Sequence, residues 1–326
     1  LSLVGIIANP ASGKDIRRLV AYGSVFDNQE KVRIVRRVLL GLAAVGVKRI
    51  CFMPDYFGIV RRALDPIRIP AEVFPVDFPL LGNQEDSVRA GHVMETHGAA
   101  CIVTVGGDGT NRAVVKGTVS TPILPISTGT NNVFPFMVEG TIAGLAAGLV
   151  ATGKVALEEG AFSSTLLEVV MDGRAVDLAL VDAVVYDDVF VGSRAVWDMD
   201  KVRQVFLNRA EPDSIGLSAI GGLIAPVKAW EPRCLNLELG NHGQPVTAPV
   251  APGMMKRVFV SKKEMMNVGE GAEVRFVPSV LALDGEREVE VRHGQRVSVR
   301  LSSNGPVVVD VKRAMTAAVR KGVLTG

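Results

Sequence analysis

Val103-Thr-Val-Gly-Gly-Asp-Gly-Thr-Asn-Arg112 is the stretch that decides how the first half of the chain is read. An apolar run ends at Val105, glycines and an aspartate follow, and a helix is predicted from near Thr110. Ala100–Val105 is continuously apolar, the pattern of a strand buried on both faces. Glycine permits positive φ and lets a ligand approach the backbone closely. A turn that opens a helix also presents N–H donors where anions bind. Gly106, Gly107, Gly109, Thr110 and Asn111 are therefore phosphate-binding candidates. Asp108 needs its own reason, because a carboxylate repels phosphate. A bridging cation or a role in taking a hydroxyl proton removes the conflict. A plain strand-to-helix turn would account for a lone Gly-Gly pair, but the full unit after a buried strand is more specific.

Working outward, Leu3–Ala8, Arg49–Met53, Ala71–Val76 and Pro122–Ile126 are further apolar runs that read as buried strands. Between the first two, Asp27 or Asn28 can cap a helix whose stripe is Val32, Val35, Leu39 and Leu42. Lys31, Arg33, Arg36 and Arg37 are expected on its solvated faces. Helices are also predicted over Tyr56–Leu64, Asp86–Thr96 and Asn111–Lys116. Strands alternating with helices predict a Rossmann-like parallel α/β domain over residues 1–138.

After about residue 140 the texture changes. A small-residue helix, Thr141–Thr152, gives way to β-rich sequence with turn signals. Asp172-Gly173 between Leu166–Met171 and Ala175–Tyr186 predicts a hairpin. Cys234–Leu239, Arg257–Ser261, Glu273–Phe276 and Val297–Leu301 continue the pattern, so residues 139–305 are expected to form a β-sandwich-like substrate-binding domain. Val307–Val311 and the helical Lys312–Val323 resemble the first half, and 306–326 is expected to pack back on it.

Two familiar phosphate motifs are excluded. A dinucleotide fingerprint starting at Gly107 needs glycine where Arg112 stands. A P-loop ending at Gly13-Lys14 needs glycine at Ala8 and a hydroxyl at Asp15. Two other loops follow predicted strands, and parallel strands turn their carboxyl ends to one ligand crevice. In the first, Asn9, Ser12, Gly13 and Lys14 are candidates, with Arg17 and Arg18 close behind. Taken alone, that loop fits an Asn-Pro turn with solvated basic residues equally well. In the second, Thr128, Gly129, Thr130, Asn131 and Asn132 supply groups suited to ribose or phosphate. Such clusters are usually plain loops; the coincidence at successive strand ends favours a site.

Gly106–Thr110 resembles the Gly-Gly-Asp-Gly-Thr signature shared by NAD kinases, diacylglycerol kinases and sphingosine kinases. Asp213-Ser-Ile-Gly-Leu-Ser-Ala-Ile-Gly-Gly222 is similar to a Gly-Gly-ended segment of NAD kinases, and Leu283-Asp284-Gly285 to their C-terminal Asp-Gly element. Asn9-Pro10 to Gly13 and Gly129-Thr130-Asn131 lean towards the lipid-kinase branch. With Asp15–Arg37 and Phe190–Trp197, nearly the whole chain resembles the acetoin-catabolism protein X branch of ATP-NAD kinase-like proteins. The resemblance implies an NAD kinase-like fold with its site in a cleft between an α/β and a β-rich domain. It implies ATP as donor, a divalent cation such as Mg2+, and phosphoryl transfer to a hydroxyl, with Asp108 orienting or deprotonating the acceptor. Asp182, Ser218, Gly221 and Gly222 become substrate-binding candidates, and Asp108 and Asp284 candidate metal contacts. One departure stands out: the Asn-Glu or Asn-Asp pair that grips NAD in NAD kinases matches Val181-Asp182 here, which loses an amide donor and acceptor. A lipid or polyol kinase, or a nucleotide-binding regulatory protein without turnover, are the alternatives. A homo-oligomer is also implied.

The bulk composition agrees with small-molecule work. A length of 326 residues accommodates two domains. Lys and Arg number 36 against 34 Asp and Glu, too balanced for a protein that relies on a basic field to bind nucleic acid. Aromatic residues make up 5%, which argues against base-stacking platforms. The three cysteines are widely separated, unlike a disulfide framework or zinc site. Mean hydropathy is +0.29, yet the uncharged stretch around Thr141–Gly153 is shorter than the ~20 residues a spanning helix needs. Leu3–Ala8 lacks a basic leader, and a soluble cytoplasmic protein is expected.

Overall fold

The computed structural model describes residues 2–13, 22–24, 26–188 and 198–325. Lys14, Arg17, Arg18 and Phe190–Trp197 lie outside the described residues. The first part alternates β1 (Leu3–Ala8), α1 (Asn28–Ala44), β2 (Arg49–Phe52), α2 (Ile59–Leu64), β3 (Glu72–Pro75), α3 (Glu85–Thr96), β4 (Ala99–Gly106), α4 (Asp108–Gly117), β5 (Ile123–Ser127) and α5 (Gly140–Ala151). Then follow α6 (Leu157–Gly160), β6 (Ala161–Ser163), β7 (Leu166–Met171), β8 (Arg174–Ala179), β9 (Asp182–Tyr186), β10 (Val202–Leu207) and α7 (Leu217–Gly222). The rest is β11 (Arg233–Gly240), β12 (Gln244–Ala251), β13 (Met254–Asn267), β14 (Gly271–Glu273), β15 (Ser279–Leu283), β16 (Glu286–Val291), β17 (Val297–Ser302), β18 (Val307–Val309) and α8 (Val311–Arg320).

The first sheet runs β3-β2-β1-β4-β5-β18-β6. Its strands are parallel from β3 through β18, and β6 closes the edge antiparallel. Helices cover both faces, so β1 is buried along its whole length. The predicted α1 stripe is buried, and Asp27 caps the helix by accepting from the Glu30 amide at 2.8 Å. From β1 the chain moves outward to β2 and β3, then returns to add β4 and β5 on the other side. The order therefore reverses at β1/β4, and the crevice beyond the carboxyl ends of those two strands is where an open α/β sheet binds its ligand.

The second half is antiparallel. One sheet runs β12-β13-β11-β10-β9-β15-β16 and a smaller one β14-β17-β7-β8. They sandwich a core containing Leu167, Val185, Phe206, Leu281 and Val299. The fold is thus a parallel α/β layer joined to an antiparallel β-rich layer. The hairpin at Asp172-Gly173 forms, with Asp172 at φ 49°. Ala175–Tyr186 is not one strand, however. It splits into β8 and β9, which belong to different sheets. The break lies at Leu180-Val181, whose amides turn to the buried Asp284 carboxylate instead of a neighbouring strand. Smaller differences are that the strand at Glu273–Phe276 stops at Glu273 and that Val311 begins α8.

Candidate active site

The loops after β1, β4 and β5 meet at the reversal point and enclose much of a cavity of about 790 Å³. Asn9 Nδ2 donates to Thr110 Oγ1 at 3.0 Å, which ties the first loop to the glycine turn. Ser12 Oγ and Thr128 Oγ1 lie 3.3 Å apart, which ties it to the third. The third loop is also laced to Ser24, shortly before α1: Ser24 N donates to Thr130 Oγ1 at 3.0 Å, and Thr130 N to Ser24 O at 3.1 Å. The cavity extends sideways over the loop after β2 and the loop before α3, where Asp55, Tyr56, Leu80 and Gln84 join its wall. From the β-rich half come Asp284 and Glu286.

The glycine turn works differently from the sequence reading. None of Gly106, Gly107 and Gly109 has positive φ. Closeness excludes a side chain at Gly106, where a Cβ would lie 2.6 Å from Thr110 Cβ, whereas one on Gly107 would meet the tip of the Asn132 side chain at 2.7 Å. α4 begins at Asp108, so the amides of Asp108, Gly109 and Thr110 open the helix, where N–H groups lack an intrahelical acceptor. Asp108 accepts from the Phe134 amide at 2.8 Å and from the Val133 amide at 3.1 Å. The Phe134 carbonyl in turn accepts from Arg209, whose guanidinium lies 4.1 Å from the Phe134 ring centroid. Burial pulls Arg209 down to about 10, opposed by Asp108, Glu211 and Asp284.

Asp284 sits in the β15–β16 turn at φ 52°. Its carboxylate takes the amides of Leu180, Val181 and Asp182, with Val181 N at 2.7 Å. Burial pushes this carboxyl up, while Arg112 and those amides pull it down. Arg112, fully buried on α4, faces Glu288 at 2.8 Å, Asp177 at 3.7 Å and Asp284 at 3.8 Å. Burial works against its charge, but these carboxylates together outweigh it and raise its already high value, so it stays charged. Asp55 is likewise raised by burial, against the amides of Ile59, Phe57 and Gly58 and the charge of Lys31.

Of the sequence candidates, Asn9, Ser12, Gly13, Gly107, Asp108, Gly109, Thr110 and the run from Thr128 to Asn132 line the cavity, as does Asp284. Gly106 and Asn111 stand just behind: Asn111 Oδ1 accepts from the Thr104 hydroxyl at 2.6 Å and its Nδ2 donates to Gly107 O. Asp182, Ser218, Gly221 and Gly222 are not among the lining residues. The glycines of α7 serve packing, since a Cβ on Gly222 would meet the Glu211 carbonyl at 2.3 Å and one on Gly221 the Leu207 side chain at 2.4 Å. Ser218 is fully buried with them. Val181 is buried in the core that also holds Phe134 and Ala229. Lys31, expected in solvent, is 1% exposed. Lys31, Arg112 and the Asp55–Gln84 side of the cavity were missed by motif reading; the β2 and β3 strand ends were the available signal.

Among the described residues no group of three His, Cys, Asp or Glu side chains could hold a metal. Asp55, Asp86, Asp108 and Asp284 are already engaged by backbone amides. A divalent cation at this site would therefore have to be carried mainly by a ligand's own oxygens and water.

Residues 4–155 match the family model of the ATP-NAD kinase N-terminal domain. Residues 165–304 match the acetoin catabolism protein X C-terminal domain. The chain is 39% identical over 333 residues to acetoin catabolism protein X of Cupriavidus necator, across 98% of this chain and 92% of that protein. It belongs to the acetoin catabolism protein X family. More distant likenesses among solved structures include a diacylglycerol kinase from Bacillus anthracis, at TM-score 0.49 and 14% identity over 94% of this chain and 96% of that one. Another is yeast NADH kinase complexed with NADH, at TM-score 0.48 and 13% identity over 100% and 89%. No helix among the described residues is long and apolar enough to cross a membrane.

Proposed function

We propose that this protein binds ATP in the cavity at the β1/β4 reversal and transfers its terminal phosphoryl group to a hydroxyl. The observation that carries the reading is the convergence of the Asn9, Gly107 and Thr128 loops, hydrogen-bonded to one another, around one cavity. Phosphoryl transfer asks a protein mainly for in-line positioning and charge neutralisation. The amides opening α4 hold phosphate oxygens, the Thr110 and Thr128 hydroxyls orient them, and Asp108 aligns or deprotonates the acceptor hydroxyl. A magnesium ion bound on the phosphates would supply charge neutralisation. NAD is the first acceptor to test, given the family model over residues 4–155. Burial of Val181 beside Phe134 leaves no cavity wall at the position of the NAD-gripping pair, which keeps lipid and polyol acceptors in view.

A second reading, nucleotide binding without turnover, is favoured by one observation: both Asp108 oxygens already accept backbone amides. A radiolabelled-ATP screen against NAD, lipid vesicles and free polyols separates these. Label on NAD alone supports the first reading; label on a lipid or polyol moves the acceptor. Calorimetric ATP binding with no labelled product from any hydroxyl leaves the non-catalytic reading.

A further inference from the structure

Lys31 occupies the first turn of α1 and is buried to 1% exposure. An ammonium taken out of water is costly unless hydrogen bonds satisfy it, so its position demands a reason. Nζ donates to the Asn9 carbonyl at 2.9 Å, the Ser12 carbonyl at 2.8 Å and Asn28 Oδ1 at 3.1 Å. Asn9, Ser12 and Asn28 all line the cavity, whereas Lys31 does not. Two carbonyl dipoles of the first loop are therefore turned towards a side chain behind the wall. In a trans peptide the following N–H points the opposite way, so the peptide after Ser12 turns its Gly13 amide away from Lys31. The same loop reaches Thr110 through Asn9 and Thr128 through Ser12, so fixing it fixes the whole rim. The charge is also felt at the carboxyl of Asp55, another lining residue. Among the described lining residues there are carboxylates but no Lys or Arg.

We propose that Lys31 is a positioning residue for polyphosphate: from behind the wall it turns the Asn9 and Ser12 carbonyls away from the anion and lends the loop positive charge. This rests on the reading that the cavity takes phosphate groups, but not on turnover.

Calorimetry with adenosine, AMP, magnesium-ATP and inorganic tripolyphosphate, on wild type, Lys31→Met and Lys31→Arg, tests it. Lys31→Met is expected to weaken ATP and tripolyphosphate by on the order of tenfold, a charge effect across a protein interior, and adenosine by less than about twofold. Lys31→Arg restores most of the loss. Equal weakening of every ligand, or none, overturns the proposal in favour of a purely structural lysine. Should Lys31→Met fail to fold, the side-chain nitrogen signal of Lys31 in 15N-lysine-labelled wild type must shift on saturation with tripolyphosphate; an unmoved signal overturns it too. Charge-graded loss without product in the label screen sinks the kinase reading alone. Transfer in wild type with unchanged ATP affinity in Lys31→Met sinks this one alone.

Discussion

Asp108 accepts two backbone amides and also faces the cavity, so substitution there separates a structural role from a chemical one. An Asp108→Asn side chain keeps one carbonyl oxygen for the Phe134 and Val133 amides but sets an NH2 group beside the Val133 donor. Replacing a charged acceptor by a neutral one weakens such bonds by about 1 kcal/mol, so a lowered melting temperature is expected. If Asp108 aligns the acceptor hydroxyl, turnover disappears while ATP affinity stays within a few-fold; full activity would remove Asp108 from that role. Glu95 offers a pH test elsewhere. Desolvation opposes ionisation, but the amides of Ser120, Val119 and Thr121 outweigh it and hold the carboxyl down to about 2 from 4.5. A depressed folded-state value contributes stability above the unfolded value and loses it as pH falls through the folded one. The stability gap between wild type and Glu95→Gln should therefore shrink as pH drops from 4.5 towards about 2, measured by denaturant titration. Residue types and spacing revealed the three loops, because strand ends and glycine turns are local features. Lys31 was illegible, because helical periodicity gives the face a residue occupies but not that the Asn9 loop folds onto that face. Gly221 and Gly222 misled for the related reason that a glycine pair fits a ligand or a neighbouring backbone equally well.

At the scale of elements, α4 does more than line the cavity. One turn on from Asp108, Arg112 reaches Asp177 on β8, Asp284 in the β15–β16 turn and Glu288 on β16. Lys116 on the same helix meets Asp177 at 2.6 Å. The helix carrying the glycine turn is thus clamped to the β-rich half by charge, and the clamp ends on the carboxylate that breaks β8 from β9. That break could not be read in advance: Ala175–Tyr186 is continuous in β propensity, and the acceptor that diverts its amides comes from more than a hundred residues later. Removing one partner from a buried charge cluster leaves the others uncompensated, at about 3–5 kcal/mol. Arg112→Met is expected to lose that much in equilibrium unfolding, and Glu288→Gln clearly less, since Glu288 keeps 22% side-chain exposure. Hydrogen exchange should localise the damage, with the Leu180 and Val181 amides losing protection first. Equal stability of wild type and Arg112→Met would mean that the clamp holds nothing.

For the whole molecule the decisive feature is where the chain ends up. After the antiparallel sheets are complete, β18 returns to the first sheet and lies between β5 and β6, parallel to one and antiparallel to the other. Val308 and Val309 are fully buried there, and Ala314, Ala317 and Ala318 of α8 pack into the core of α1 and α5. Burying two valines contributes about 3–6 kcal/mol, a large share of the roughly 5–15 kcal/mol that holds a domain folded. Losing β18 would also bare the edge of β5, an open template for pairing between chains. A chain truncated after Ser302 is therefore expected to be insoluble or to melt far below the full-length protein. Val308→Asp, which keeps every residue, should lower the melting of both sheets together in circular dichroism and open both halves to limited proteolysis at once. If the segment were only a docked tail, the truncated chain would stay soluble, lose a few degrees and keep its ATP affinity. The same strand that completes the parallel layer would then be dispensable to it, and the two layers would have to be treated as separable bodies.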